Sequence, residues 1–251
     1  MQPTTLATLV AERALDPELA ALAWLLIEGG VPLVVGGSAS REQRAALAGA
    51  MLAVDPRRPW VLLDTDVDPP SLARLSTLLQ GGLSVGLVLA ARDLQETFDR
   101  LRAAPLSLPD DAVRRLGTVL VVDETTLGVR IAAAHYLRPT ERDGQGHLQR
   151  RPPAVLATWD RETDAFEHFA WGITPELSDR VDRSQADFEQ RQLDRAGFLA
   201  RMARTGAMAA GEWATVTNRY LATEATRTPA PQHPAARSSP TRRSMVDPHQ
   251  H

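Results

Sequence analysis

The stretch with the residue types and spacing for chemistry is PLVVGGSASREQRAALAGAML, Pro32 to Leu52. A hydrophobic strand runs into a Gly-Gly turn and then straight into a helix. That arrangement presents backbone N–H groups and a helix N-terminus to a phosphate. Gly36, Gly37, Ser38 and Ser40 would form the loop. The full phosphate-binding pattern is GxxxxGK[ST]. With Gly36 at its first glycine, Arg41 falls at the second glycine, Glu42 at the lysine and Gln43 at the magnesium-binding hydroxyl. Three of the four signature positions are lost, and the lysine has become an acid. A carboxylate about 4 Å from a phosphate charge is repelled by roughly 4 kcal/mol at an effective dielectric near 20, on the order of a thousandfold in affinity. Arg41 or Arg44 would have to supply the positive charge instead, and an arginine at the second glycine fills space the backbone needs beside the phosphates.

Two acidic strand ends have the form of a carboxylate that holds magnesium through water. One is Asp64 in WVLLDTD, with Asp66 beside it. The other is Asp123 in VLVVDE, followed by Glu124. Order along the chain favours Asp64, because it ends the strand directly after the loop and helix, where an adjacent parallel strand is expected. If the loop still takes nucleotide, ATP with magnesium is the cofactor implied. The remaining candidates read as structural. His135 sits among apolar neighbours in AAAHYLR. His168 shares a strand face with Phe166. His249 and His251 lack a third metal ligand. No serine stands in a GxSxG elbow.

Composition closes further routes. All 28 basic residues of the 251 are arginine, and there is no cysteine. A lysine Schiff base, a Ser-Lys dyad, a thiol nucleophile, a disulfide framework and a cysteine zinc site are all excluded for the chain acting alone. A net charge of −3 gives no field to gather nucleic acid. The most apolar run, Leu19 to Gly37, is interrupted by Glu28, two glycines and Pro32, too broken to span a bilayer. The N-terminus shows no signal-peptide pattern, and a cytoplasmic location is expected.

The elements that must position the loop alternate. Asp16 caps a helix that opens at Pro17 and runs to about Ile27. Val31 to Val35 is a strand, and Ser40 caps a helix from Arg41 to Val54. Trp60 to Asp66 is a strand, Ser71 to Leu79 a helix, and Leu83 to Ala90 a strand entered through Gly81-Gly82. Asp93 caps a helix to Arg102, and Thr118 to Val122 is a fourth strand. Such alternation predicts parallel βαβ units with helices on both faces. After Gly128 the reading changes to antiparallel strands at Val129 to Leu137, Ala154 to Asp160 and Ala165 to Trp171. Helices follow at Pro175 to Val181, Gln185 to Arg204 and Gly211 to Thr223. In the second of these, Phe188, Leu193, Phe198, Leu199 and Met202 form an apolar stripe, for core packing or for a partner. The organisation expected is an α/β core over 1–128, an antiparallel arm with C-terminal helices over 129–224, and an Arg/Pro/Ser-rich tail over 225–251. That tail is too poor in large apolar residues to order itself.

These segments resemble, in collinear order from Leu6 to Trp171, the motor ATPase domain of type II/type IV secretion and pilus-assembly systems. LATLVAERALDPELAALAWLLIEGGVPLVVGGSAS is similar to that family's lead-in helix and loop. GGLSVGLVLAARDLQETFDRL is similar to its His-box strand and helix, with Ala90 at the histidine. LGTVLVV, GVRIAAAHYLR and AVLATWDRETDAFEHFAW are similar to its arm strands. The resemblance implies a P-loop NTPase-like parallel sheet with flanking helices, an antiparallel C-terminal arm and a helical C-terminus. It also implies homo-oligomers and secretion or pilus-assembly partners. Gly36, Gly37, Ser38 and Ser40 carry over as the loop and Asp64 as the magnesium acid. No counterpart of the family's N-terminal domain is expected before Leu6 in this sequence, and Pro56 to Gly82 is too short for both acidic boxes. With Glu42 in the lysine position, the expectation is a degenerate, non-hydrolysing member with a regulatory or scaffolding role. The alternatives are an active ATPase using Arg41 or Arg44, and an interaction module outside any motor system.

Overall fold

A computed structural model describes residues 4–226 apart from 71, 81, 82, 143, 145 and 146. The tail beyond Thr226, with His249 and His251, lies outside the described residues, as do Ser71 and the Gly81-Gly82 turn. The element order is α1 (Leu6–Ala11), α2 (Pro17–Glu28), β1 (Leu33–Gly36), α3 (Arg41–Leu52), β2 (Trp60–Asp64), α4 (Leu72–Gln80), β3 (Ser84–Val88), α5 (Leu94–Arg102), α6 (Asp110–Arg115), β4 (Thr118–Thr125) and β5 (Gly128–Tyr136). Then come β6 (Glu141–Arg142), β7 (Leu148–Gln149), β8 (Ala154–Asp160), β9 (Ala165–His168), a 3-10 turn (Ala170–Ile173), α7 (Thr174–Arg180), α8 (Gln185–Ala203) and α9 (Ala210–Ala225). Local chemistry accounts for the starts of the helices. The Asp16, Ser40 and Asp93 side chains each accept from a backbone N–H three residues on, and Pro17 stands at the first turn of α2. The short α1 and α6, and the β6–β7 pair, lie where no element is expected.

The chain is an α/β protein with a mixed seven-stranded sheet of order β2-β3-β1-β4-β5-β8-β9. Pairing is parallel from β2 to β4 and antiparallel from β4 to β9. One expectation is corrected here. β2 is not beside β1, because β3 lies between them, so Asp64 ends a strand two places from the loop strand. The connection through α3 carries the chain across two strand widths, and α4 brings it back one. Strand β4 is the pivot of the sheet. It pairs parallel with β1 on one edge and antiparallel with β5 on the other, through a tight turn from Thr125 to Gly128. Gly128 holds a φ of 103° there, while the Thr125 hydroxyl donates to its carbonyl.

Helices cover both faces. Leu75 of α4, Leu101 of α5 and Val113 of α6 pack on one face, against Val34, Leu87 and Val119. The other face carries α1, α2, α3 and α8. Trp24 of α2 is fully buried there, with ring centroids 6.1 Å from Phe198, 5.9 Å from Tyr220 and 6.4 Å from Trp213. Burying one such side chain contributes on the order of 1.5–3 kcal/mol.

An ionic knot ties α9 to this layer. Arg195 of α8, fully buried, donates to both Glu224 oxygens at 3.0 and 2.7 Å and lies 2.5 Å from Glu28. Its guanidinium stacks 4.6 Å over the Trp24 ring. Burial alone would raise the Glu224 carboxyl's pKa, but the Arg195 hydrogen bonds, with the charges of Arg195 and Arg191, hold it below its usual range. Leu193 leaves the expected stripe, because two positions either way on α8 is about 200° of rotation. The knot at Arg191 and Arg195 therefore turns Leu193 outward. Among the described residues no helix is long and apolar enough to cross a membrane.

Candidate functional site

The loop from Gly36 to Ser40 leaves the central, wholly buried strand β1 between the ends of β3 and β4. The two glycines answer to crowding on either side. A Cβ at Gly36 would lie 3.0 Å from the Ala91 carbonyl oxygen and 3.3 Å from Thr97 Oγ1. At Gly37, with φ 119°, a Cβ would lie 2.0 Å from the Val122 carbonyl oxygen, so only glycine fits. The backbone passes between two strand ends with no room for a side chain.

Each amide from Gly37 to Ser40 has an acceptor inside the protein. Gly37 N–H donates to the Ala91 carbonyl and Ala39 N–H to that of Val122, the latter at 3.0 Å. Ser38 N–H and Oγ–H both donate to Asp123 Oδ1, at 3.4 and 2.8 Å. Ser40 N–H donates to Gln43 Oε1 at 2.7 Å, and Ser40 Oγ accepts from Gln43 N–H at 3.2 Å, a capping box. Gln43 Nε2 donates in turn to Glu124 Oε1 at 3.0 Å. In a phosphate cradle these amides converge on an anion. Here they stitch β1 to both neighbouring strand ends.

The loop's carbonyls are held from below. Arg44 is buried, and its guanidinium donates to Gly37 O at 3.2 Å and Ala39 O at 2.5 Å, with Asp66 3.9 Å away. Arg41 is half-exposed and holds Asp64 at 2.5 Å through Nε. Glu42 is exposed, 3.8 Å from Arg41. Asp64 Oδ1 also accepts from the Asp66 N–H at 3.1 Å. The structure thus brings Gly36, Gly37, Ser38, Ser40, Arg41, Arg44 and Asp64 into one cluster. Asp64 approaches it from the β2 side and Asp123 from the β4 side. Within the cluster both arginines are paired to the protein's own acceptors, and both acids to its own donors.

The residue the sequence reading underrated is Arg44. Its signal was present, since Arg44, Leu47, Ala48 and Met51 share one helix face, and the last three are core. Ala90 stands half-buried just past β3, one residue before the carbonyl that closes on Gly37. His135 is half-buried, and that burial lowers its pKa. His168 lies 2.8 Å from Asp16 Oδ2, so the residue that caps α2 is also the one to which β9 is tied.

Beside α3 runs an apolar groove of about 640 Å³, lined by Ala45, Ala46, Gly49, Trp60 and Trp213, with Glu42 and Arg58 its charged residues. Arg58 is turned to the Glu28 carbonyl. No convergent set of acid, base and nucleophile lines it, and among the described residues no group of three potential metal ligands occurs. No model of a known protein family matches the chain. No curated protein matches it either.

Proposed function

We propose that the chain is a degenerate P-loop NTPase-like domain, similar to secretion and pilus-assembly motors, that acts as a regulatory or scaffolding partner and does not hydrolyse ATP. The observation that carries the reading is the occupancy of the loop. The amides from Gly37 to Ser40 all donate within the protein, and an acid, Glu42, stands where the phosphate-binding lysine would be. A bound triphosphate would need those amides back and a cation in place of Glu42. Displacing four internal hydrogen bonds at ~0.5–1.5 kcal/mol each costs about 2–6 kcal/mol. The repulsion from Glu42 adds to that. Arg44, the cation nearest the loop carbonyls, is already committed to them.

The test is equilibrium binding of labelled ATP with magnesium to the full chain. Binding should be absent or millimolar, with no phosphate released. Micromolar affinity with turnover would overturn the reading in favour of an active ATPase. The scaffolding half is tested separately, by pull-down with the tagged chain from its source cells. Recovery of a secretion or pilus component is expected, and recovery of none would leave an interaction module of another system.

A further inference from the structure

Large apolar side chains stand in solvent on the side of α8 turned away from the ionic knot. Trp171, at 79% exposure, and Leu193, at 69%, line one depression of about 350 Å³ with Ala170 and Ala196. Two acids rim it, Glu18 at the start of α2 and Glu189 on α8. An exposed indole beside an exposed leucine, under a carboxylate rim, suits a segment that offers prolines to the ring and a cation to the acids.

The chain carries such a segment. Residues 227–251 hold four arginines, one aspartate and five prolines, including the PxxP spacing Pro231-Gln232-His233-Pro234, with Arg237 three residues on. The remaining 226 residues hold 24 of the 28 basic side chains and 30 of the 31 acidic ones, so segment and body are opposite in charge.

The segment also begins in the right place. It leaves α9 just after Glu224, whose carboxylate is bound to Arg191 and Arg195, the residues two positions either side of Leu193. Half the circumference of a helix ~10–12 Å across is about 16–19 Å. At ~3.1 Å per residue, the rise of an extended proline-rich chain, five or six residues span that distance, so the length of sequence between Thr226 and Pro231 is enough.

We propose that residues 227–251 fold back over this patch, with Pro231 and Pro234 on the Trp171 indole and Arg237 at the Glu18 and Glu189 rim. The occupant is the chain's own C-terminal segment, held in cis and released by a competing basic, proline-rich ligand or by salt. The inference does not rest on the motor reading, and a failure of either leaves the other standing.

Because the chain has no cysteine, Ser239→Cys gives a single attachment point for a nitroxide in the full-length, isotope-labelled protein. The Trp171 indole N–H and Leu193 methyl signals should be lost in the oxidised sample and return on reduction. The Trp60 indole, at the opposite edge strand, should keep its signal throughout. Adding Leu193→Asp, an exposed site whose change leaves the core intact, should restore the Trp171 signal with the label still oxidised, as should high salt. No broadening, broadening spread evenly over the surface, or broadening untouched by Leu193→Asp would overturn the proposal. So would broadening that appears only when separate spin-labelled and isotope-labelled chains are mixed, which would assign the segment to a second copy.

Discussion

Replacing Arg44 by Met tests whether the loop is held by the protein itself. Methionine keeps most of the stem that packs beside Leu47 and Ala48 and removes the guanidinium. Two bonds go with it, at 3.2 Å to Gly37 O and 2.5 Å to Ala39 O. Hydrogen bonds from charged donors contribute about 1.5–3 kcal/mol each. Part is returned, because a buried charge no longer has to be desolvated, and Nε has no partner to lose. Asp66, 3.9 Å away and partly solvated, adds little. The net expected loss is about 2–4 kcal/mol, read as a fall in the urea midpoint at unchanged slope. For a chain of this size that is roughly 5–15 °C in melting temperature. Amide exchange at Gly37 and Ala39 should accelerate in parallel, and Arg44→Lys should recover part of the loss. An Arg44→Met protein that melts within about 0.5 kcal/mol of the parent, with the loop amides unchanged, would refute the argument. Were Arg44 a phosphate ligand in an active ATPase, the variant would instead lose turnover.

Two glycines make an opposed pair. Gly37→Ala places a Cβ 2.0 Å from the Val122 oxygen at φ 119° and should cost about 3 kcal/mol or more. Gly49→Ala, in α3 with nothing within 4 Å, should stabilise by about 0.5–1 kcal/mol, both read by thermal melts. Burial lowers the His168 pKa, but the hydrogen bond that its Nε2–H donates to Asp16 and the charges of Asp16 and Glu18 outweigh it and leave the pKa raised. A raised folded pKa means that the contribution is fully present below the unfolded value of 6.5 and is lost as pH rises through the folded one. His168→Gln should therefore cost ~1 kcal/mol on the acid side, and a urea series across pH should show that difference shrinking as pH rises. Glu224→Gln leaves the buried Arg195 with Glu28 alone and should cost about 3 kcal/mol at neutral pH. The Glu224 pKa is lowered, so its contribution holds above its unfolded value of 4.5 and is lost as pH falls through the folded one. Parent and variant should converge in acid denaturation.

The parts of this structure that were legible in the sequence are those set by neighbours along the chain. Asp16, Ser40 and Asp93 announce their helices because a short polar side chain bonds a backbone amide three residues on. The change from parallel to antiparallel pairing showed as strands following one another after Gly128 with no helix between. The place of β2 was not legible. Both β2 and β3 are short apolar runs behind a helix, and which of them lies against β1 depends on how far each crossover carries the chain. The pairing of Asp123 with Ser38, 85 positions apart, has no local signal either. Arg44 and Arg195 share an origin, an arginine at a core position of a helix face. Such a residue goes inside when carbonyls or carboxylates await it there, as they do for Arg44 and Arg195.

The closed loop bears on how this molecule responds to its surroundings. A fold that completes itself around a ligand gains stability as RT ln(1 + [L]/Kd), so its rigidity follows the ligand's concentration. Around Gly37 to Ser40 the acceptors are Ala91, Val122, Asp123 and Gln43, which the chain carries at a fixed, saturating effective concentration. On the proposed reading the order of this corner of the sheet is constitutive, and its shape is expected to be the same in an energy-rich cell and a starved one.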